Sequence, residues 1–138
     1  MWLKSRVTFK EQETLYSSGQ SKPGKIITNA KQGLSAHNYG LAFDIVLLQD
    51  TDLNGSFETV SWNIKDDFDK DQMADWFEVT NHFKSLGWTW GGDWKSFPDY
   101  PHFEKTFGLT PRQLLTKYNG GHTFDEKFNG KIYKWVCL

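Results

Sequence analysis

Four residues carry the clearest chemical potential in this chain: His37, Asp44, Asp99 and His102. Imidazole nitrogen and carboxylate oxygen are donors that zinc accepts, and three protein ligands leave a fourth position open for water, as a hydrolytic site requires. His37 and Asp44 lie in one stretch, Ser35-Ala36-His37-Asn38-Tyr39-Gly40-Leu41-Ala42-Phe43-Asp44, in which Gly40 permits a tight bend. Asp99-Tyr100-Pro101-His102-Phe103 adds a third ligand type and a spare carboxylate. Tyr100 precedes a proline and is biased toward extended backbone, so Asp99 and His102 do not share a helix face. An extended Asp-x-x-His can hold its carboxylate beside a metal without binding it. Two histidines and one carboxylate leave the metal enough charge to lower the pKa of a bound water to about 7. The ligands come from a loop and two strands, so spacing alone does not bring them together.

The elements that must position these groups can be read from periodicity. Leu41 to Leu48 is apolar and branched, a buried strand, with Ala42, Asp44 and Val46 on one face and Leu41, Phe43, Ile45 and Leu47 on the other. A carboxylate in such a strand is costly unless it meets a cation or hydrogen-bond donors; a bond to a neighbouring loop would also serve. Asn54-Gly55 predicts a turn into an antiparallel strand around Glu58 to Trp62. Asp69-Lys70-Asp71-Gln72 reads as a helix start, followed by a core stripe of Met73, Trp76, Phe77, Thr80, Phe83 and Leu86 that stops at Gly87. His82 beside that stripe is a surface or packing histidine. Trp88 to Trp90 reads as a strand leading into Gly91-Gly92, and His102 to about Lys105 as another.

At the ends of the chain, Met1 to Val7 is a strand or lead-in. Thr8-Phe9-Lys10-Glu11 and Thr110-Pro111-Arg112-Gln113 are capping boxes that open two short helices, which end near Gly19 and at Asn119-Gly120-Gly121. Lys131 to Val136 is a last edge strand. Helices interspersed with antiparallel strands give an α+β class, a small antiparallel sheet with flanking helices, in a single domain over residues 1–138.

A chain of 138 residues with 17% aromatic and 24% charged residues can bury a core without staples. A net charge of −1 gives no global attraction for a polyanion, so nucleic acid is not an expected partner. Cys137 is the single cysteine, which excludes an internal disulfide. No apolar run suits a signal peptide or a membrane span, so no membrane insertion is expected and synthesis is expected in the cytoplasm.

Together, Ser35-x-His37-x-x-Gly40-x-Ala42-x-Asp44, Trp90-Gly91-Gly92-Asp93-Trp94 and Asp99-x-Pro101-His102 resemble the M15 zinc peptidases of the D-alanyl-D-alanine carboxypeptidase-like superfamily. The resemblance is closest to the L-alanyl-D-glutamate endopeptidases of bacterial cell-wall and phage endolysin type, and runs from about Thr8 to about Leu115. It implies a hedgehog/DD-peptidase-like fold and a Zn2+ cofactor on His37, Asp44 and His102. It also implies Asp99 as general base and cleavage of the L-Ala–D-Glu bond in peptidoglycan stem peptides; a monomer is expected. The Trp90–Trp94 loop resembles the wall of the family's substrate site, which suggests Ser35, Trp90, Asp93 and Trp94 as substrate contacts; a Gly-Gly turn between core tryptophans is the alternative reading.

The family usually has an arginine immediately before the first helix start, for substrate and oxyanion. Here Val7 stands there and Arg6 is one position earlier, a slip that turns a strand side chain to the other face. The expectation is that Arg6 takes over the role. Gln20 also replaces a common arginine, and the family's preceding helix is expected to be missing. Action on a cell wall would then be that of a phage lysin, or would need an upstream export segment.

Three other functions compete. A D-Ala-D-Ala carboxypeptidase or dipeptidase of the same fold would tend to carry Glu at Asp99. A non-catalytic wall-binding module would explain the shifted arginine but has no need of a base. A His-Asn metal nuclease, suggested by His37-Asn38, lacks a second such pairing and any basic excess.

Overall fold

A computed structural model describes residues 2–4 and 6–138, with side chains from Arg6 onward. The chain folds as two compact units, Met1–Lys4 with Phe43–Lys105, and Ser5–Ala42 with Thr106–Leu138. Neither unit is one continuous stretch.

The first unit is organised on strand β2 (Ala42–Gln49). β1 (Trp2–Lys4) pairs antiparallel along its start, with Lys4 opposite Asp44, and β3 (Thr59–Ser61) pairs antiparallel along its end. β5 (His102–Glu104) is its other neighbour in the sheet, and β4 (Thr89–Trp90) pairs antiparallel with β5 at the edge. The parity expected of β2 is observed. Phe43, Ile45 and Leu47 enter a core built with Trp76, Trp90 and Phe103, which leaves Asp44 on the opposite face. The Phe43 and Phe103 rings stack at 5.6 Å and 17°, and Phe83 packs on Phe103 at 4.9 Å.

Helix α2 (Asp75–Ser85) begins later than the expected start at Asp69. The carboxylates of this segment bond to nearby backbone amides and turn the chain instead of coiling it. Gln72 N–H donates to Asp67 Oδ2 at 3.0 Å and Met73 N–H to Asp71 Oδ1 at 2.7 Å. Lys70 and Gln72 take positive φ, 63° and 77°, which no helix tolerates. Met73 therefore precedes the helix and is largely exposed, as are Phe77 and Leu86, while Trp76, Thr80 and Phe83 face inward. His82 is exposed, as expected.

The second unit holds α1 (Phe9–Ser17), α3 (Pro111–Asn119) and a hairpin of β6 (Thr123–Phe128) and β7 (Lys131–Val136). Both capping boxes form; Thr8 N–H donates to Glu11 Oε2 and Thr110 N–H to Gln113 Oε1, each at 2.8 Å. Tyr39, Leu114 and Val136 form this unit's core with Phe9, Leu41, Leu109, Leu115 and Tyr118 around them. The sequence led us to expect β7 alone. Its partner β6 is joined through Asn129-Gly130, both at positive φ (48° and 75°), the two-residue hairpin turn that this dipeptide favours.

Phe103 is fully buried and touches rings from β2 and α2. Phe103→Ala is expected to cost about 3–5 kcal/mol in chemical denaturation, against about 1 kcal/mol for removing the Thr110 cap in Thr110→Ala. Equal losses for the two variants would contradict this placement of the core.

Candidate metal centre

His37 sits in a single 3-10 turn, Ala36–Tyr39, and is buried. The turn is held by Asn38. Asn38 Oδ1 accepts the backbone N–H groups of Gly33 (3.0 Å) and Ser35 (3.3 Å), and Asn38 Nδ2 donates to Val7 O at 2.9 Å. Val7 N–H in turn donates to His37 O at 3.2 Å. Gly40 closes the turn at φ 71°, and a side chain there would collide with the Trp135 ring. Tyr39 donates its hydroxyl to Gly33 O at 2.7 Å; burial, with Tyr118 nearby, pushes its pKa up to about 12, so it remains a donor.

Asp44 and His102 lie on neighbouring strands of the first unit, with Ile45 N–H bonded to Pro101 O at 3.0 Å. His102 Nδ1 is 3.3 Å from Asp44 Oδ1, and His102 Nε2 is 3.2 Å from Glu104 Oε2. The imidazole is thus buried between two carboxylates. Burial alone would lower its pKa, but the hydrogen bonds and charges of Asp44 and Glu104 outweigh this and raise it to about 9. A proton on Nδ1 here satisfies the Asp44 oxygen that a metal cation would otherwise satisfy. Asp44 and His102 bring an oxygen and a nitrogen donor together within the first unit, and His37 is a buried imidazole of the second; both donor types suit zinc. Glu104 had not been singled out in the sequence. The usable signal was its spacing, two residues after His102 on a strand and therefore on the same face.

Asp99 is placed through its backbone. Gly91 O accepts the N–H groups of Asp99 (3.0 Å) and Trp94 (3.2 Å), and Asp99 O accepts His102 N–H at 3.2 Å. A Cβ on Gly91 would collide with Asp99 O, so the loop needs glycine there. Trp90 is a core residue; its indole N–H donates to Tyr100 O at 2.7 Å and anchors the Asp99–His102 segment from beneath. The Trp94 ring lies 5.0 Å from that of His102. Asp93 pairs with Lys84 of α2 at 2.6 Å. Arg6 is engaged by the hairpin: it donates to Lys134 O at 3.1 Å and lies over the rings of Trp135 (4.6 Å) and Tyr133 (5.1 Å). Val7, where an arginine was expected from the resemblance, is buried in the core.

Residues 28–105, more than half of the chain, match the M15 peptidase family described as D-alanyl-D-alanine carboxypeptidase. The chain belongs to the M15 peptidases. It is similar to the peptidoglycan L-alanyl-D-glutamate endopeptidase CwlK of Bacillus subtilis (strain 168), with 46% identity over 97 residues, 70% of this chain and 54% of CwlK. The match therefore spans about half the length of that relative. M15 peptidases are generally zinc-dependent, and the chemistry of the Asp44 and His102 donors fits that metal. Three α-helices and a small antiparallel sheet among the described residues agree with the family's α+β class. No helix among the described residues is long and apolar enough to cross a membrane.

The His102 environment predicts a pH effect in the metal-free protein. Its pKa rises from 6.5 to about 9 on folding, so the bound proton stabilises the folded state in full below pH 6.5, and this contribution is lost as pH rises through about 9. Urea denaturation with chelator, between about pH 6 and about pH 10, should show wild type losing stability relative to His102→Gln. Parallel profiles would remove the ion-pair reading.

Proposed function

We propose that the chain is a zinc peptidase that cleaves the L-Ala–D-Glu bond of peptidoglycan stem peptides. In this reading His37, Asp44 and His102 hold the metal and Asp99 is the general base. The reading is supported above all by the meeting of Asp44 and His102 on adjacent strands, in a chain that shares 46% identity with CwlK across this region. Zinc, when bound, supplies Lewis-acid polarisation of the scissile carbonyl and of an attacking water. The chain's own residues do the rest. With Glu104 accepting from His102 Nε2, the contact supports Nδ1, on the Asp44 side, as the ligand atom. The Asp99 carboxylate takes the proton from the attacking water and delivers it to the leaving amine. The bond between Asp99 N–H and Gly91 O fixes where that carboxylate starts.

Trp94, beside His102, gives the stem peptide an aromatic wall, with Ser35 and Asp93 as further contacts and Trp90 supporting the loop from the core. Arg6 contacts the substrate in this proposal only by leaving Lys134 O. In this reading the protein acts on the cell wall as a monomer.

The test is mass spectrometry of muropeptides digested by the zinc-loaded protein. New termini at L-Ala and D-Glu are expected. Asp99→Asn should keep its zinc and lose about 10²–10⁴-fold in rate. His102→Ala should lose the zinc, and Glu104→Ala should bind it about 10–100-fold more weakly than wild type. Release of terminal D-Ala would instead favour the carboxypeptidase activity that the family's description names. A zinc-loaded protein that cleaves no stem peptide would leave a wall-binding module.

A further inference from the structure

The residues that delayed the start of α2 have no part in the chemistry above. They read Asp67-Phe68-Asp69-Lys70-Asp71-Gln72-Met73-Ala74-Asp75-Trp76-Phe77-Glu78. Carboxylates thus stand at the first, third, fifth, ninth and twelfth places of a twelve-residue loop. In calcium-binding loops those places supply side-chain oxygens, the seventh supplies a backbone carbonyl, and the twelfth is a glutamate. Glu78 lies in the first turn of α2, as that scheme requires of the helix leaving the loop. The sixth place usually needs glycine for its sharp turn; here Gln72 adopts the left-handed conformation, φ 77°. Ligand atoms of Asp67, Asp69 and Asp71 lie within 4.8 Å of one another, and so do those of Asp69, Asp75 and Glu78.

Acidic groups cluster on many protein surfaces without an ion. The distinguishing observation is Asp67. Its Oδ1 is wholly shielded from solvent and has no hydrogen-bond partner, while its Oδ2 is occupied by Gln72 N–H. A buried carboxylate oxygen with no donor carries a desolvation penalty that a cation removes. The surrounding charges agree. Asp75 is pushed above the ordinary carboxylate range by burial and then, against a bond from Phe68 N–H, by Asp69, Asp67 and Asp66. Glu78 is raised by burial and by Asp71, Asp69, Asp75 and Asp67. All-oxygen donors without nitrogen or sulfur select a hard cation over zinc, and an irregular loop of five carboxylates suits Ca2+ better than the small octahedron of Mg2+.

We propose that residues 67–78 form a calcium site, with the carboxylates of Asp67, Asp69, Asp71, Asp75 and Glu78 and the carbonyl of Met73 as donors. The neighbouring Asp50–Glu58 loop has a related spacing and lines the same cavity, but it has no buried, unpartnered carboxylate oxygen and is not assigned. Calcium binding ties the start of α2 to the loop. Because Trp76 of α2 belongs to the core that also contains Phe103, next to His102, the ion stabilises the unit that carries Asp44 and His102.

The site is tested on the full chain after chelation, by titration with CaCl2 followed by calorimetry and thermal unfolding. Saturable binding with Kd between about 10⁻⁷ and about 10⁻³ M and a raised Tm are expected. Tb3+ in place of Ca2+ should give luminescence sensitised by Trp76, which lies within the loop, and Ca2+ should quench it by competition. Glu78→Gln and Asp67→Asn should each weaken binding at least tenfold; both reduce charge repulsion, so neither threatens folding. Absence of binding at millimolar CaCl2, an equal response to MgCl2, or unchanged affinity in both variants would overturn the assignment. These readouts need neither zinc nor peptidase activity, so they stand apart from the proposed function.

Discussion

The contact on which the candidate centre depends is the burial of His102 between Asp44 and Glu104. An imidazole in that position cannot be neutral and uncommitted at no cost: two carboxylates demand a cation or donors. In the absence of metal the proton supplies the positive charge, which is why the pKa moves upward despite burial. The same arrangement would suit zinc, which could replace the proton on one ring nitrogen while the other stays tied to a carboxylate. Strand pairing makes the arrangement rigid, because Asp44 and His102 are each one position within a strand whose alternate residues are buried in the aromatic core.

Around this contact, hydrogen bonds to the backbone place the other groups. Gly91 O holds Asp99 and Trp94 together and admits no Cβ, and the Trp90 indole fixes Tyr100 O between Asp99 and His102. In the second unit, Asn38 satisfies the amides of the His37 turn and reaches Val7 O, so the histidine is presented by a turn that cannot loosen without exposing several buried polar groups. The acidic loop before α2 follows the same logic with opposite sign: its amides are satisfied by carboxylates, and one carboxylate oxygen is left buried without a donor.

The sequence by itself determined the strand parity of β2, both capping boxes, the α+β class and which residues offer donors that zinc accepts. These depend on local rules: period-two alternation, a Thr hydroxyl three residues before a Glu or Gln, and the donor chemistry of His and Asp. Only the tertiary structure decided that α2 starts at Asp75, that β7 has β6 as a partner, that Glu104 faces His102, that Trp90 is core, and that Arg6 is taken up by Lys134 O and the hairpin aromatics. Each depends on a competition that periodicity does not see. Carboxylates outbid the helix for amide hydrogens before Asp75, and a guanidinium one residue out of register finds a carbonyl and two ring faces on a strand more than a hundred residues away in sequence. Local patterns state which groups are present; which partner each group meets is set by long-range packing, because the free energies of rival partners differ by little until burial chooses among them.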